Sequence, residues 1–208
     1  MPILMGACLF VVGCGKTVQE QVLERNRAGV ERLLERDYAA AESEFRQAWE
    51  LAPGDFTTQF NLAVVHHLQG HFEQAEQGYR QCLQQDPHFL PARRGLAQLL
   101  WQTNRHEDLR QLVNQWIADR PDLADAHALY GWYLARLGDY PAAERAFQAA
   151  LARQPQHAFA LAELGRIYEL YRFPERARSL YERSLQHDPW QPEIRARLAK
   201  LRRLSPSP

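Results

Sequence analysis

The chain has 208 residues, enough for one substantial domain or two small ones. Hydrophobic residues make up 46%, too many for a disordered polymer, and basic and acidic side chains balance at 25 each, which excludes the one-sided basic surplus of a non-specific nucleic-acid binder. Three cysteines, Cys8, Cys14 and Cys82, are too few and too clustered for a disulfide scaffold.

The head of the chain poses the first choice. Residues 3–13, ILMGACLFVVG, carry no charge. That run is too short to cross a bilayer core, which takes ~20 residues, but suits the apolar region of a signal peptide, ~7–15 residues. Gly15-Lys16-Thr17 resembles the end of a phosphate-binding loop. That motif needs a glycine five residues before Gly15, where the chain has Phe10, and the rest of the chain offers no strands to hold such a loop. Val11-Val12-Gly13-Cys14 resembles a bacterial lipoprotein lipobox: a thiol to take the lipid, and a small residue before it where a peptidase cuts. The resemblance implies a signal peptide at 1–13, lipidation of Cys14, a short linker at 14–21, and, with Gly15 rather than aspartate next, an outer-membrane location facing the periplasm.

Next comes a ladder. Pro53, Pro87, Pro121, Pro155 and Pro189 follow one another at 34-residue steps. Setting each proline at position 32 divides the chain into repeats 22–55, 56–89, 90–123, 124–157 and 158–191. Position 8 then holds Gly29, Ala63, Ala97, Gly131 and Gly165, and position 20 holds Ala41, Ala75, Leu109, Ala143 and Ala177. Position 24 holds Phe45, Tyr79, Val113, Phe147 and Tyr181, and position 27 holds Ala48, Cys82, Trp116, Ala150 and Ser184. In period and in these positions the chain resembles the tetratricopeptide repeat family. The resemblance implies an all-α, right-handed solenoid of helix-turn-helix repeats.

The residues supply the reasons. Small side chains at positions 8 and 20 let two helices approach, and the aromatic at position 24 fills the space between pairs. Gly70, Asn104 and Gly138 suit a left-handed helix end at the turn, while Pro141 and Pro174 suit the start of the second helix. Cys82 reads as a buried inert thiol. In the third repeat Leu109 and Trp116 fill positions that prefer small residues. Two outcomes are open, a displaced second helix or neighbours that have adapted in volume. Beyond Pro189, residues 192–204 form an amphipathic capping helix with Ile194, Leu198, Leu201 and Leu204 as its stripe, and residues 205–208 a disordered tail.

No enzyme is expected. No serine or cysteine has a nucleophile signature around it, and His67 and His71, four apart, straddle the Gly70 turn without a third ligand. No metal, cofactor, nucleic acid or small-molecule substrate is implied. The family resemblance puts the binding surface on the first helices. From the second repeat on, those positions give Phe60, Val64, His67, Arg94, Gln98 and Trp101, followed by Asp125, Trp132, Arg136, Phe159, Arg166 and Glu169. Aromatic and arginine side chains of this kind anchor protein interfaces. The carboxylate clamp that some relatives use is not matched: its positions hold Asn26, Val30, Asn61, Pro91 and Gly95 when read from the first repeat. The resulting expectation is a membrane-anchored periplasmic adaptor that binds a protein or peptide segment in its concave groove. It would support assembly of an envelope machine such as a pilus or secretin, a polysaccharide exporter or a cell-wall enzyme complex. The alternative is a cytosolic interaction module with a mis-assigned start.

Overall fold

The computed structural model describes residues 16–204. The expectations for the signal peptide, for Cys14 and for residues 205–208 fall outside the described residues. Within them every regular element is helical: α1 (Val18–Leu34), α2 (Tyr38–Leu51), α3 (Phe56–Gln69), α4 (Phe72–Gln85), α5 (Leu90–Gln102), α6 (His106–Asp119), α7 (Ala124–Arg136), α8 (Tyr140–Arg153), α9 (Ala158–Leu170), α10 (Pro174–His187) and α11 (Pro192–Leu204). The second helices α2, α4, α6, α8 and α10 each run from position 17 to position 30 of the period. The fold class is all-α, as the repeat implies.

Local chemistry sets these boundaries. Asp37, Asp55 and Asp139 accept backbone N–H groups at the starts of α2, α3 and α8, which satisfies donors the helix leaves orphaned. Every turn inside a repeat places a residue in the left-handed region: Arg36 (φ 62), Gly70 (φ 81), Asn104 (φ 57), Gly138 (φ 83) and Arg172 (φ 63). The next N–H then reaches back five residues, as in Asp37 N to Arg32 O (3.0 Å) and Phe173 N to Tyr168 O (2.9 Å), the hydrogen bond that closes a helix C-terminus. The first helix corrects one boundary. Thr17 Oγ1 accepts from Glu20 N at 3.2 Å and the Glu20 carboxylate accepts from Thr17 N at 2.7 Å. This capping box starts α1 at Val18, so residues 18–21, expected in the linker, are helical.

The small and aromatic positions are buried in every repeat. At Gly131 and Gly165 an added Cβ would fall 2.9 Å from the Phe147 ring and 2.6 Å from the Tyr181 ring, so the glycines let each aromatic lie flat on its helix. Cys82 is buried, and burial pushes its thiol up to about 11, which leaves it protonated and inert at neutral pH. In the third repeat α6 keeps the common start and end of the second helix, and Leu109, Val113 and Trp116 are all buried. Valine stands where the other repeats place an aromatic, so the larger side chains at positions 20 and 27 are partly offset by a smaller one between them.

The chain divides into two compact units, one ending at Leu96 and one beginning at Ala97. Unit 1 holds α1 to α4, with α2 against α1 and α3, and α1 touching α3 directly. Unit 2 holds α6 to α11, each helix against its neighbours in sequence, with α7 touching α9. There α11 covers the last pair through Ile194, Leu198 and Leu201, which pack with Ala162, Ala177 and Tyr181.

Candidate functional site

In unit 1 the first helices α1 and α3 are tied together by a buried polar chain. Asn26 Nδ2 donates to Thr58 Oγ1 (2.8 Å), Thr58 Oγ1 donates to Asp55 (2.7 Å) and Asn61 Nδ2 donates to Asn26 Oδ1 (3.0 Å). The two asparagines that failed to make a carboxylate clamp thus set the spacing of the repeats. On α1, Leu23, Val30 and Leu34 lie along one stripe and are 70%, 42% and 59% exposed. On α3, Val64 and Leu68 hold the positions of Val30 and Leu34 in the period; Val64 is half-buried, as are Phe60 and His67 on the same helix, and Leu68 is 50% exposed.

The α3 stripe has a built aromatic floor. The Phe60 ring lies edge-on to Phe89 at 5.1 Å, and Phe56 meets Phe89 at 4.7 Å. Tyr79 comes up from α4 so that its hydroxyl is 3.1 Å from His67 Nδ1. Burial pushes the Tyr79 phenol far up, which keeps it neutral and able to donate. Arg94, also in unit 1, is exposed and close enough to act on that phenol. Unit 1 therefore presents a face that is apolar on α1 and aromatic on α3.

Unit 2 is different in kind. Gln98 is exposed on α5, and the half-buried Trp101 ring meets His106 at a tilt, with ring centroids 4.8 Å apart. Trp132 is only 5% exposed, with the Arg136 guanidinium over its ring at 5.2 Å. The indole is thus largely committed to packing, and it is Arg136 that meets solvent. Phe159 is half-buried. Arg166 pairs with Glu193 of α11 (2.7 Å), while Glu169 accepts from Tyr181 Oη (2.8 Å) and from Arg197 (3.0 Å). Arg166 and Glu169 are therefore engaged with α10 and α11 rather than standing free for a ligand. Asp125 holds the Nε2 of buried His157 at 2.7 Å, and His157 Nδ1 in turn accepts from Ala160 N to start α9.

The expected binding residues thus fall into two groups by unit, and Leu23, Val30, Leu34 and Leu68 join them. The first three occupy positions 2, 9 and 13 of the first repeat. A reading that begins at the second repeat passes over them, and applying the same positions one repeat earlier finds them. Among the described residues no group of His, Cys, Asp or Glu is arranged to hold a metal ion. No described helix is long and apolar enough to cross a membrane.

Comparison with known proteins agrees with this architecture. Sequence models described as tetratricopeptide repeat match residues 32–79, 69–133, 124–157 and 158–201. The cellulose synthase operon protein C of Pseudomonas fluorescens (strain SBW25) is 29% identical over 155 residues, 71% of this chain. The chain spans only 12% of that relative's length. Among solved structures, a thermophilic TPR protein of Thermus thermophilus is similar with a TM-score of 0.63 and 21% identity, over 86% of this chain and 98% of that one. The structure of Pseudomonas aeruginosa pilF is similar with a TM-score of 0.55 and 19% identity, over 93% of this chain and 96% of that one. At such identities these two likenesses show the fold alone.

Proposed function

The chain belongs to the tetratricopeptide repeat family, a scaffold for protein interaction, and from that premise we propose that it is a lipid-anchored adaptor of the bacterial envelope. Its α1–α3 face takes an apolar protein segment. The observation that carries the binding reading is the exposed apolar row of Leu23, Val30, Leu34 and Leu68 beside the Phe60 floor. Exposed apolar side chains gathered on one face mark interaction sites, whereas scattered ones do not. An amphipathic helix or extended segment satisfies such a face by burying its own apolar side.

The anchor rests on Cys14 with Gly13 before it and the apolar run upstream. Acyl chains contribute ~0.8 kcal/mol per buried methylene, so a diacylated and N-acylated cysteine holds firmly. The helix at Val18 follows Cys14 so closely that the α1–α3 face would work near the bilayer. Envelope service is supported by the similarity to a cellulose synthase operon protein and by the resemblance of Val11-Val12-Gly13-Cys14 to a lipobox. The rival is a cytosolic adaptor that binds a soluble partner.

Two variants test the reading. Cys14→Ala is expected to move the protein from membrane to soluble fractions and abolish labelling by a fatty-acid probe. Unchanged fractionation with no labelling of the parent chain would return the protein to the cytosolic reading. Leu34→Glu is expected to keep the helical circular dichroism and the membrane location while losing whatever protein co-purifies from detergent-solubilised membranes. Capture that survives Leu34→Glu and Leu23→Glu together would remove the α1–α3 face as the binding site.

A further inference from the structure

Two grooves in the molecule are built from the same positions of the repeat. In unit 1, Gln59, Leu62, Ala63 and His66 of α3 occupy positions 4, 7, 8 and 11, and Trp49 of α2 at position 28 forms the wall. The second helix of that repeat, α4, packs onto this floor so closely that a Cβ on Gly78 would fall 2.7 Å from the Ala63 Cβ. In unit 2, Arg195, Leu198, Ala199 and Arg202 of α11 hold the same positions, and Leu185 of α10 stands where Trp49 does. That groove has a volume of about 560 Å³. α11 is the last described element, and Ala199 is exposed.

Position 8 has a known occupant elsewhere in this chain. At Gly29, Gly131 and Gly165 the side chain pressed against it is the aromatic at position 24 of that repeat's second helix. Ala199 offers the same seat to solvent. Position 4 has a known role too: Gln59 hydrogen-bonds Gln81 (2.9 Å) and Gln85 (2.7 Å), positions 26 and 30 of its own second helix. In α11 that position is Arg195, whose guanidinium donates to Pro189 O (2.5 Å) as Arg93 does to Pro87 O at the same position, and Arg202 is the second basic side chain of the lining. The facing acid is Glu182, which Arg202 already holds at 2.8 Å. A helix laid in this groove therefore meets surplus positive charge.

We propose that the α10–α11 groove docks an amphipathic helix of a partner protein. That helix carries a small residue, an aromatic four residues later and a small residue three further on, with an excess of carboxylates along its flank. It completes a sixth pair on α11 as α4 completes the second pair on α3. The proposal uses neither the lipid anchor nor the α1–α3 face, so it stands or falls apart from them.

The probe is a fluorescein-labelled peptide of residues 38–51, YAAAESEFRQAWEL, which has Ala41, Phe45 and Ala48 at that spacing and more acidic than basic residues. The control is residues 140–153, YPAAERAFQAALAR, with Ala143, Phe147 and Ala150 at the same spacing but more basic than acidic residues. Binding to the full chain is read by fluorescence anisotropy. The acidic peptide is expected to bind, and to lose about tenfold in affinity, ~1.4 kcal/mol, against the Ala199→Phe protein and again when its Phe45 is replaced by alanine. The control peptide is expected to bind about tenfold more weakly. Because Ala199 is exposed, Ala199→Phe should leave circular dichroism and Tm unchanged. Absence of binding, equal affinity for the Ala199→Phe protein or equal affinity of the two peptides overturns the proposal. Self-association of the chain that Ala199→Phe abolishes also overturns it, by giving the face to a second copy.

Discussion

At the residue scale the buried polar groups of unit 1 do the most specific work. Asn26 is 7% exposed and fully satisfied by Thr58 and Asn61. Asn26→Ala strands the Asn61 amide and removes the donor to Thr58, so it should destabilise the protein by about 1–3 kcal/mol, read from urea unfolding. The Asn26→Asp variant would test whether geometry or only polarity matters. His66 makes a second case. Burial lowers its pKa, although Glu42 at 3.6 Å pulls it the other way, and Arg46 and His71 add to the lowering. A histidine whose folded pKa is depressed binds its proton more readily when unfolded. Its contribution is present above about pH 6.5 and is lost as pH falls through that value toward the folded one. Thermal unfolding between pH 8 and pH 5 should therefore show a steeper loss for the parent chain than for His66→Gln. Equal slopes would show that His66 does not carry the dependence. Burial also opposes ionisation of Glu42, but donors from Gln69 and Arg46 outweigh it and hold the carboxylate below its usual range. That second contribution is lost only at lower pH, as the carboxylate protonates.

At the element scale the repeated turn is the informative unit. Five left-handed residues occur at one position of the period, yet only Gly70, Asn104 and Gly138 announce it by type. Arg36 and Arg172 adopt the same backbone because the helices on either side leave no other way round. A left-handed residue with a side chain costs roughly 1–2 kcal/mol, and glycine removes that at an entropic cost of about 0.5–1 kcal/mol. Arg36→Gly and Arg172→Gly should each raise stability by up to about 1 kcal/mol, visible as an increase in Tm. Gly138→Ala should lower it by a similar amount. The third repeat obeys the same logic for volume. Val113→Phe would restore the family residue at position 24 but overpack against Leu109 and Trp116, with an expected loss of about 1–3 kcal/mol. A neutral outcome would mean that α6 has room that its full burial does not suggest.

At the scale of the whole molecule the last described helix, α11, is held to unit 2 by Ile194, Leu198 and Leu201 and by the Arg166–Glu193, Arg197–Glu169 and Arg202–Glu182 pairs. Exposed or partly exposed ion pairs contribute little each, so the apolar contacts decide. At about 1.5–3 kcal/mol for each buried side chain, removal of α11 should cost roughly 4 kcal/mol or more. A chain truncated after Gln191 should show a lower Tm and bind a hydrophobic dye at the uncovered Tyr181 and Ala162. A truncated chain as stable as the parent would show that α11 is dispensable as a cap.

Much of this is legible in the sequence. The 34-residue ladder of prolines, with small residues at three positions and an aromatic at a fourth, points to an all-α chain of repeated helix pairs. A helix pair can bury its apolar faces only by repeating that register, and its residue types therefore recur. Cys82 as an inert thiol and Ile194, Leu198 and Leu201 as the stripe of a cap follow from the same periodicity. The commitment of Asn26 to a buried chain does not, because its partners Thr58 and Asn61 lie 32 and 35 residues away, and the left-handed Arg36 and Arg172 do not, because their residue type gives no sign of it. The start of α1 at Val18 rests on the local Thr17–Glu20 capping box, which the linker reading passed over. The candidate binding surface divided in the same way. Position in the period named the inward-facing residues, but only tertiary structure showed which are available: Trp132 is packed away, Arg166 and Glu169 are occupied by α10 and α11, and Leu23, Val30, Leu34 and Leu68 are left open to solvent. Exposure is a property of what a neighbouring helix covers, and a linear pattern fixes a direction without fixing the neighbour.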